Sequence, residues 1–148
     1  MQTSKASCIL RLHLAILLLL HSCEAQNWAT FQHEHIGPLP GQTESLNAYC
    51  DRMMRERGMA RYVCKNENAF IIARPVAVRQ VCSTHSTYFE LNLFDSKIPF
   101  PVINCKFMDG TAEYGCVYRG TKMLKYLRVA CSNLFSRGDP IDFKGLLP

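Results

Sequence analysis

The chain has 148 residues, a formal net charge of +5 and eight cysteines, with 48% of its residues apolar and 20% charged. That length suits one domain around one modest core. So mild a basic excess is compatible with RNA, sulfated glycans or anionic membranes and specifies none of them. No internal repeat, low-complexity tract or Asn-x-Ser/Thr sequon occurs, which excludes repeat architectures.

Residues 1–25 read as a secretory leader. Lys5 and Arg11 form a positive n-region, and the apolar run Leu12 to Leu20 is too short to span a bilayer. The small residues ending at Ala25 suit a signal peptidase, so the mature domain is expected over 26–148, secreted and without a transmembrane segment. Removing Lys5, Arg11 and Glu24 lowers the net charge to +4. Cys8 and Cys23 leave with the leader. Six cysteines remain: Cys50, Cys64, Cys82, Cys105, Cys116 and Cys131. An even number in a small secreted chain implies three disulfides, with fifteen pairings open. No CxxC pair occurs and no two of the six are closer than eleven residues, which argues against a zinc site.

Along the mature chain, NWATFQHEHI (27–36) predicts a short amphipathic helix with Trp28, Phe31 and His35 on one face. GPLPGQTE is a connector. Ser45 is placed to cap a second helix, LNAYCDRMMRER, ending at Gly58, with Leu46, Tyr49, Cys50 and Met53 inward and Arg52, Arg55 and Arg57 in water. AFII (69–72) predicts a strand, and PVAVRQVC, opening with Pro75, a third helix. Beyond Cys82 the pattern changes to strands: YFELNLF, FPVINCKF, YGCVYRG and MLKYLRVAC, with Asp109-Gly110 as a turn signal. Three helices followed by antiparallel strands predict an α+β domain.

Several of these segments together resemble the pancreatic ribonuclease (ribonuclease A) superfamily. NWATFQHEHI is similar to the first helix of amphibian members, NAYCDRMM to the second helix, and CKNENAF to the signature CKxxNTF. SKIPFPVINCKF and GCVYRGT are closest to the angiogenin branch. The cysteine spacings of 14, 18, 23, 11 and 15 fit the family almost without gaps. The resemblance implies three short helices packed on a curved antiparallel sheet. It also implies the bridges Cys50–Cys105, Cys64–Cys116 and Cys82–Cys131, each worth roughly 4 kcal/mol by chain entropy.

The same resemblance implies a chemistry. In the family the 2′-hydroxyl of RNA attacks its own phosphate. One histidine removes the proton, a lysine stabilises charge on phosphorus, and a second histidine protonates the leaving oxygen. Imidazole suits both proton roles because it titrates near neutrality. His35 matches the base position and Lys65 the lysine position. The closing strand, PVHF in the family, is Pro140-Ile141-Asp142-Phe143 here, so Asp142 stands where the second histidine is expected.

An aspartate with an ordinary pKa of about 3.9 has no proton to give at neutral pH. Raising that value by roughly three units would cost about 4 kcal/mol, and Lys65 and a protonated His35 are expected to oppose the rise. Losing a general acid costs about 10²- to 10⁴-fold in rate. His33, about 200° around the helix from His35, and His85, in a loop after Cys82, are not expected to substitute. Among residues the resemblance assigns to binding (Glu34, Asn68, Ala69, Phe143), Ala69 stands for the threonine that reads a pyrimidine, and Glu34 for a glutamine. Lys144 stands for the aspartate that partners the second histidine.

These departures predict a protein that acts mainly by binding, with turnover lost or strongly reduced. The alternative is a weak or specialised endoribonuclease using His35 and Lys65, or a host-defence protein. No cofactor or metal is implied. The expected partners are a cell-surface receptor, a sulfated glycan or RNA, met by a monomer. Two surfaces are candidates for contact. One is the cluster Arg52, Arg55 and Arg57, interrupted by Glu56 and extended by Lys122, Lys125 and Arg128. The other is the apolar segment Thr84 to Phe94.

Overall fold

The computed structural model describes residues 26–133 and 137–148; the predicted leader lies outside them. Helix α1, Trp28–His35, begins where Asn27 Oδ1 accepts from Thr30 N at 3.0 Å. Phe31 and His35 are its buried residues, and Trp28 stacks on Phe31 at 5.7 Å. At the other end Arg57 donates to the carbonyl of Gln32, which also accepts from Ile36 N at 3.0 Å, and to that of His33 in the last turn. Helix α2, Leu46–Glu56, starts at Ser45, whose Oγ accepts from Ala48 N at 3.1 Å as a serine N-cap should. It buries Tyr49, Cys50, Met53 and Met54. Helix α3, Pro75–Arg79, opens on its proline and runs into a 3₁₀ turn at Gln80–Cys82.

The strands are β1 (Glu67–Ile71), β2 (Ser86–Glu90), β3 (Leu93–Ser96), β4 (Phe100–Thr111), β5 (Gly115–Asn133) and β6 (Arg137–Leu147). All pair antiparallel in the order β1-β4-β5-β3-β2, with β6 also on β5. The long β5 changes partners along its length, pairing with β4 in its first half and with β3 and β6 in its second. Register shifts interrupt the β4–β5 and β5–β6 ladders, and such bulges bend the strands that carry them.

One core packs α1 and α3 on the sheet through Phe31, Ile71, Val78, Val81, Val102 and Leu127. A second lies under α2, around Tyr49, Met53, Met54, Phe70, Ile103 and Tyr118. There α2 comes so close to β5 that a Cβ on Gly120 would sit 2.3 Å from Leu46 O, while Asn47 Oδ1 and Asp51 Oδ1 accept from the N–H groups of Gly120 and Tyr118. Among the described residues three disulfides form, Cys50–Cys105, Cys64–Cys116 and Cys82–Cys131, the pairing that the family resemblance implies.

Three strand boundaries differ from the sequence expectation. YFELNLF is not one strand: the chain reverses at Leu91, a non-glycine residue at φ 46°, where Asn92 and Cys131 bond through Asn92 Nδ2 to Cys131 O and Cys131 N to Asn92 O. YGCVYRG and MLKYLRVAC are one strand, β5, because the change of partner occurs without a break in the ladder. Asp109-Gly110 lies at a register shift within the β4–β5 hairpin, and the turn falls at 112–114.

Candidate active site

A cleft of about 630 Å³ opens where α1, β1, β4 and β6 meet. His35, Lys65 and Asp142 line it together, with Glu34, Asn68, Ala69 and Phe143. Two of its walls differ in construction.

The first wall is α1 and β1. His35, the last residue of α1, is 8% exposed and its Nδ1 lies 3.2 Å from Ala69 O. A carbonyl only accepts, so Nδ1 carries the proton and donates, leaving Nε2 with a lone pair. The ring packs between Phe31 and Phe143, at centroid distances of 5.3 and 5.0 Å. Burial lowers its pKa to about 4; the Ala69 bond opposes that shift, the Lys65 charge reinforces it, and Asp142 opposes it. His35 is therefore neutral at neutral pH. The expected influence of a protonated His35 on Asp142 does not arise.

Lys65 is fixed through its backbone. Its N–H donates to Met59 O at 2.9 Å and its carbonyl accepts from Tyr118 Oη at 2.8 Å, leaving Nζ to donate to Asn68 Oδ1 at 3.2 Å. Asn68, buried at 4% exposure, donates through Nδ2 to Glu34 O at 2.8 Å and so ties α1 to β1.

The second wall is β6. Asp142 pairs with Ala130, and Phe143 with Val129, across the β5–β6 ladder. Lys144, two residues on, places Nζ 2.6 Å from Asp142 Oδ2. His35 is the only histidine among the described residues that lines the cleft. His33 Nε2 bonds to Arg57 O at 3.1 Å, on the solvent side of α1, and His85 Nδ1 bonds to Thr84 Oγ1 at 2.8 Å, outside the cleft.

The cleft also holds residues that the sequence reading did not single out: Gln26, Glu67, Asn104, Gly145 and Leu146. Asn104 donates to Glu67 Oε1 at 2.6 Å. Finding them requires the β1–β4 register, which sets Asn104 opposite Ala69 and has no signal in either segment alone.

The arginine cluster is largely engaged within the protein. Arg52 pairs with Glu44, at 2.7 Å, and with Glu56, and Arg57 holds the α1 carbonyls; Arg55 is exposed. The expectation that all three lie in water therefore holds for Arg55 alone. Arg128 makes two bonds of 2.7 Å to Asp95 and lies over the Phe89 ring. In the apolar segment, Tyr88, Phe89 and Leu91 are exposed, whereas Phe94 is buried in the core. Among the described residues no group of three or more His, Cys, Asp or Glu is arranged to hold a metal, and no helix is long and apolar enough to cross a membrane.

Comparison with known proteins agrees with this architecture. The family model described as pancreatic ribonuclease matches residues 26–144. A pancreatic ribonuclease of Iguana iguana is 38% identical over 122 residues, 82% of this chain and 99% of its own length. Angiogenin of Mus musculus is 33% identical over 95 residues, 64% of this chain and 62% of its own length. Among solved structures, green turtle egg white ribonuclease superposes with a TM-score of 0.73 at 26% identity, covering 84% of this chain and all of that one. With that match across the domain, the three helices on an antiparallel sheet and the three disulfides, the chain belongs to the pancreatic ribonuclease (ribonuclease A) superfamily and is angiogenin-like.

Proposed function

We propose that this is a secreted, angiogenin-like member of the superfamily that acts by binding, with ribonuclease turnover lost or strongly reduced. The carrying observation is that the cleft presents one imidazole, His35, and a carboxylate, Asp142, already held by an ammonium. A base with a free Nε2 is present. The proton that must reach the leaving oxygen has no imidazole to come from, and a general acid is worth about 10²- to 10⁴-fold. The carboxylate also repels the phosphate that the reaction would bring beside it.

Secretion is supported by the leader-like residues 1–25, by a family match that begins at residue 26, and by three disulfides, which persist in oxidising compartments. The partner class that fits is a cell-surface receptor or sulfated glycan, met through the exposed Tyr88-Phe89-Leu91 tip or the remaining free cations, among them Arg55. RNA is a partner suggested by the fold.

One observation favours a second reading, a weak or specialised endoribonuclease. The His35–Ala69 bond holds the imidazole in a base-competent tautomer beside Lys65. Cleavage of single-stranded RNA by the wild-type protein and by Asp142→His separates the two. The binding reading predicts negligible wild-type cleavage and a large gain in the variant. A wild-type rate that Asp142→His fails to raise would favour the enzyme.

A further inference from the structure

The hydrogen-bonding capacity of the cleft is unevenly divided. Part of its donor capacity is used inside the protein: Asn68 Nδ2 on Glu34 O, Asn104 Nδ2 on Glu67 Oε1, His35 Nδ1 on Ala69 O, and one Lys65 proton on Asn68 Oδ1. Its acceptors outnumber the donors that remain, although Glu67 Oε1 and Asp142 Oδ2 each have one partner. His35 presents the lone pair of Nε2 from a ring whose side chain is only 10% exposed, and the Glu34 carboxylate facing it lies 3.8 Å away, beyond hydrogen-bond distance. Glu34, Glu67 and Asp142 add carboxylate oxygens, each group with about four acceptor positions.

Charge points the same way. Three carboxylates line the cleft against one ammonium, Lys65, with Lys144 at Asp142 as a second. A phosphate brings negative charge and accepts only, so it meets an excess of like charge. A guanidinium or ammonium brings positive charge and donates only. Between the polar groups, Ala69, Phe143 and Leu146 supply an apolar lining where a hydrocarbon stem can lie and a cation can meet a ring face. The chain itself supplies the precedent: Lys144, an alkylammonium, already sits 2.6 Å from Asp142, and with its side chain 45% exposed it is free to swing out.

We infer that the cleft receives a cationic, donor-only group on an apolar stem, an alkylguanidinium or alkylammonium, in place of a phosphate. The inference rests on the binding reading above and names the chemistry of what the cleft holds. The incoming cation takes the position of Lys144 on Asp142 and reaches His35 Nε2 and Glu34 with its remaining protons.

The test is a titration of the mature protein, followed through the His35 ring and Asp142 backbone resonances, with L-argininamide, spermidine and inorganic phosphate. Both amines are expected to shift these signals at lower concentration than phosphate. Asp142→Asn and Glu34→Gln should each weaken amine binding about three- to tenfold, and Lys144→Gln should strengthen it by a similar factor. Opposite signs at Asp142 and Lys144 are not produced by general loosening of the fold, and the thermal midpoint of each variant checks that it is folded. Tighter binding of argininamide than spermidine identifies a polypeptide side chain as the source; the reverse identifies a free polyamine. The inference is overturned if phosphate shifts the cleft signals at lower concentration than either amine, if Asp142→Asn leaves amine binding unchanged, or if up to about 10 mM amine has no effect. An active wild-type enzyme would defeat the binding reading through the cleavage assay, whereas this titration reads the occupant of the cleft directly.

Discussion

The α1–β1 wall of the cleft and the β6 wall hold their polar groups in different ways. On the first, His35 and Asn68 tie α1 to β1 by side chain–backbone bonds, Lys65 bonds the Asn68 side chain, and burial keeps the imidazole neutral. On the second, Asp142 has a single ion-pair partner, Lys144, on its own strand and partly in solvent. The difference teaches that a cleft can hold an imidazole through bonds between elements on one side while its other side offers a carboxylate paired along its own strand. The walls meet where Phe143 packs on the His35 ring, and separate substitutions perturb each of them.

The largest expected effect comes from rebuilding the β6 wall. Asp142→His combined with Lys144→Asp should raise RNA cleavage about 10²- to 10⁴-fold, measured as initial rate on a single-stranded substrate. No gain would mean that the α1–β1 wall is not assembled for catalysis after all. Next, Cys82→Ala with Cys131→Ala removes the bridge on β5 at the residue that pairs with Pro140 of β6. Opening that 49-residue separation should cost roughly 4 kcal/mol in denaturant unfolding. A loss below about 1 kcal/mol would show that β6 is held by packing alone.

The α1–β1 wall is sharpened by its pH dependence. The folded pKa of His35, about 4, lies below the unfolded value of about 6.5, so between them the unfolded chain binds more protons. The associated stability is fully present above about pH 6.5 and is lost as pH falls toward 4, by roughly 3 kcal/mol in all. Urea unfolding across that window should show this slope in wild type and lose it in His35→Gln; a ring titration midpoint near 6.5 would contradict the burial argument. Away from both walls, Gly120→Ala should cost about 1–3 kcal/mol through its clash with Leu46 O while leaving the His35 signals in place. Smallest of all, Tyr88→Ser should cost about 0.5–1 kcal/mol in thermal stability, through its edge contact with the buried Phe94 ring.

Much of this was legible in the sequence, for reasons that differ by residue. Ser45 and Pro75 announced helix starts because capping chemistry is local. The disulfide pairing came only with the family resemblance, since the spacings alone leave fifteen choices. His35 and Asp142 were brought together by the same resemblance. The turn at Leu91 was hidden because a leucine at positive φ is held there by tertiary bonds to Cys131 and not by its own preference. Glu67 and Asn104 were invisible for want of a register, and the continuity of β5 because a strand that changes partners shows no break in its own residues. Arg52 and Arg57 misled because an exposed helix face reads the same whether its charges are free or paired.

The most direct test of the missing proton donor is the cleavage rate of purified wild-type protein set beside that of His35→Ala on the same single-stranded RNA. Two rates that coincide at the level of the uncatalysed background are predicted. A wild-type rate well above background that disappears in His35→Ala would contradict the account, because His35 would then be turning over substrate with an acid that this cleft is not seen to supply.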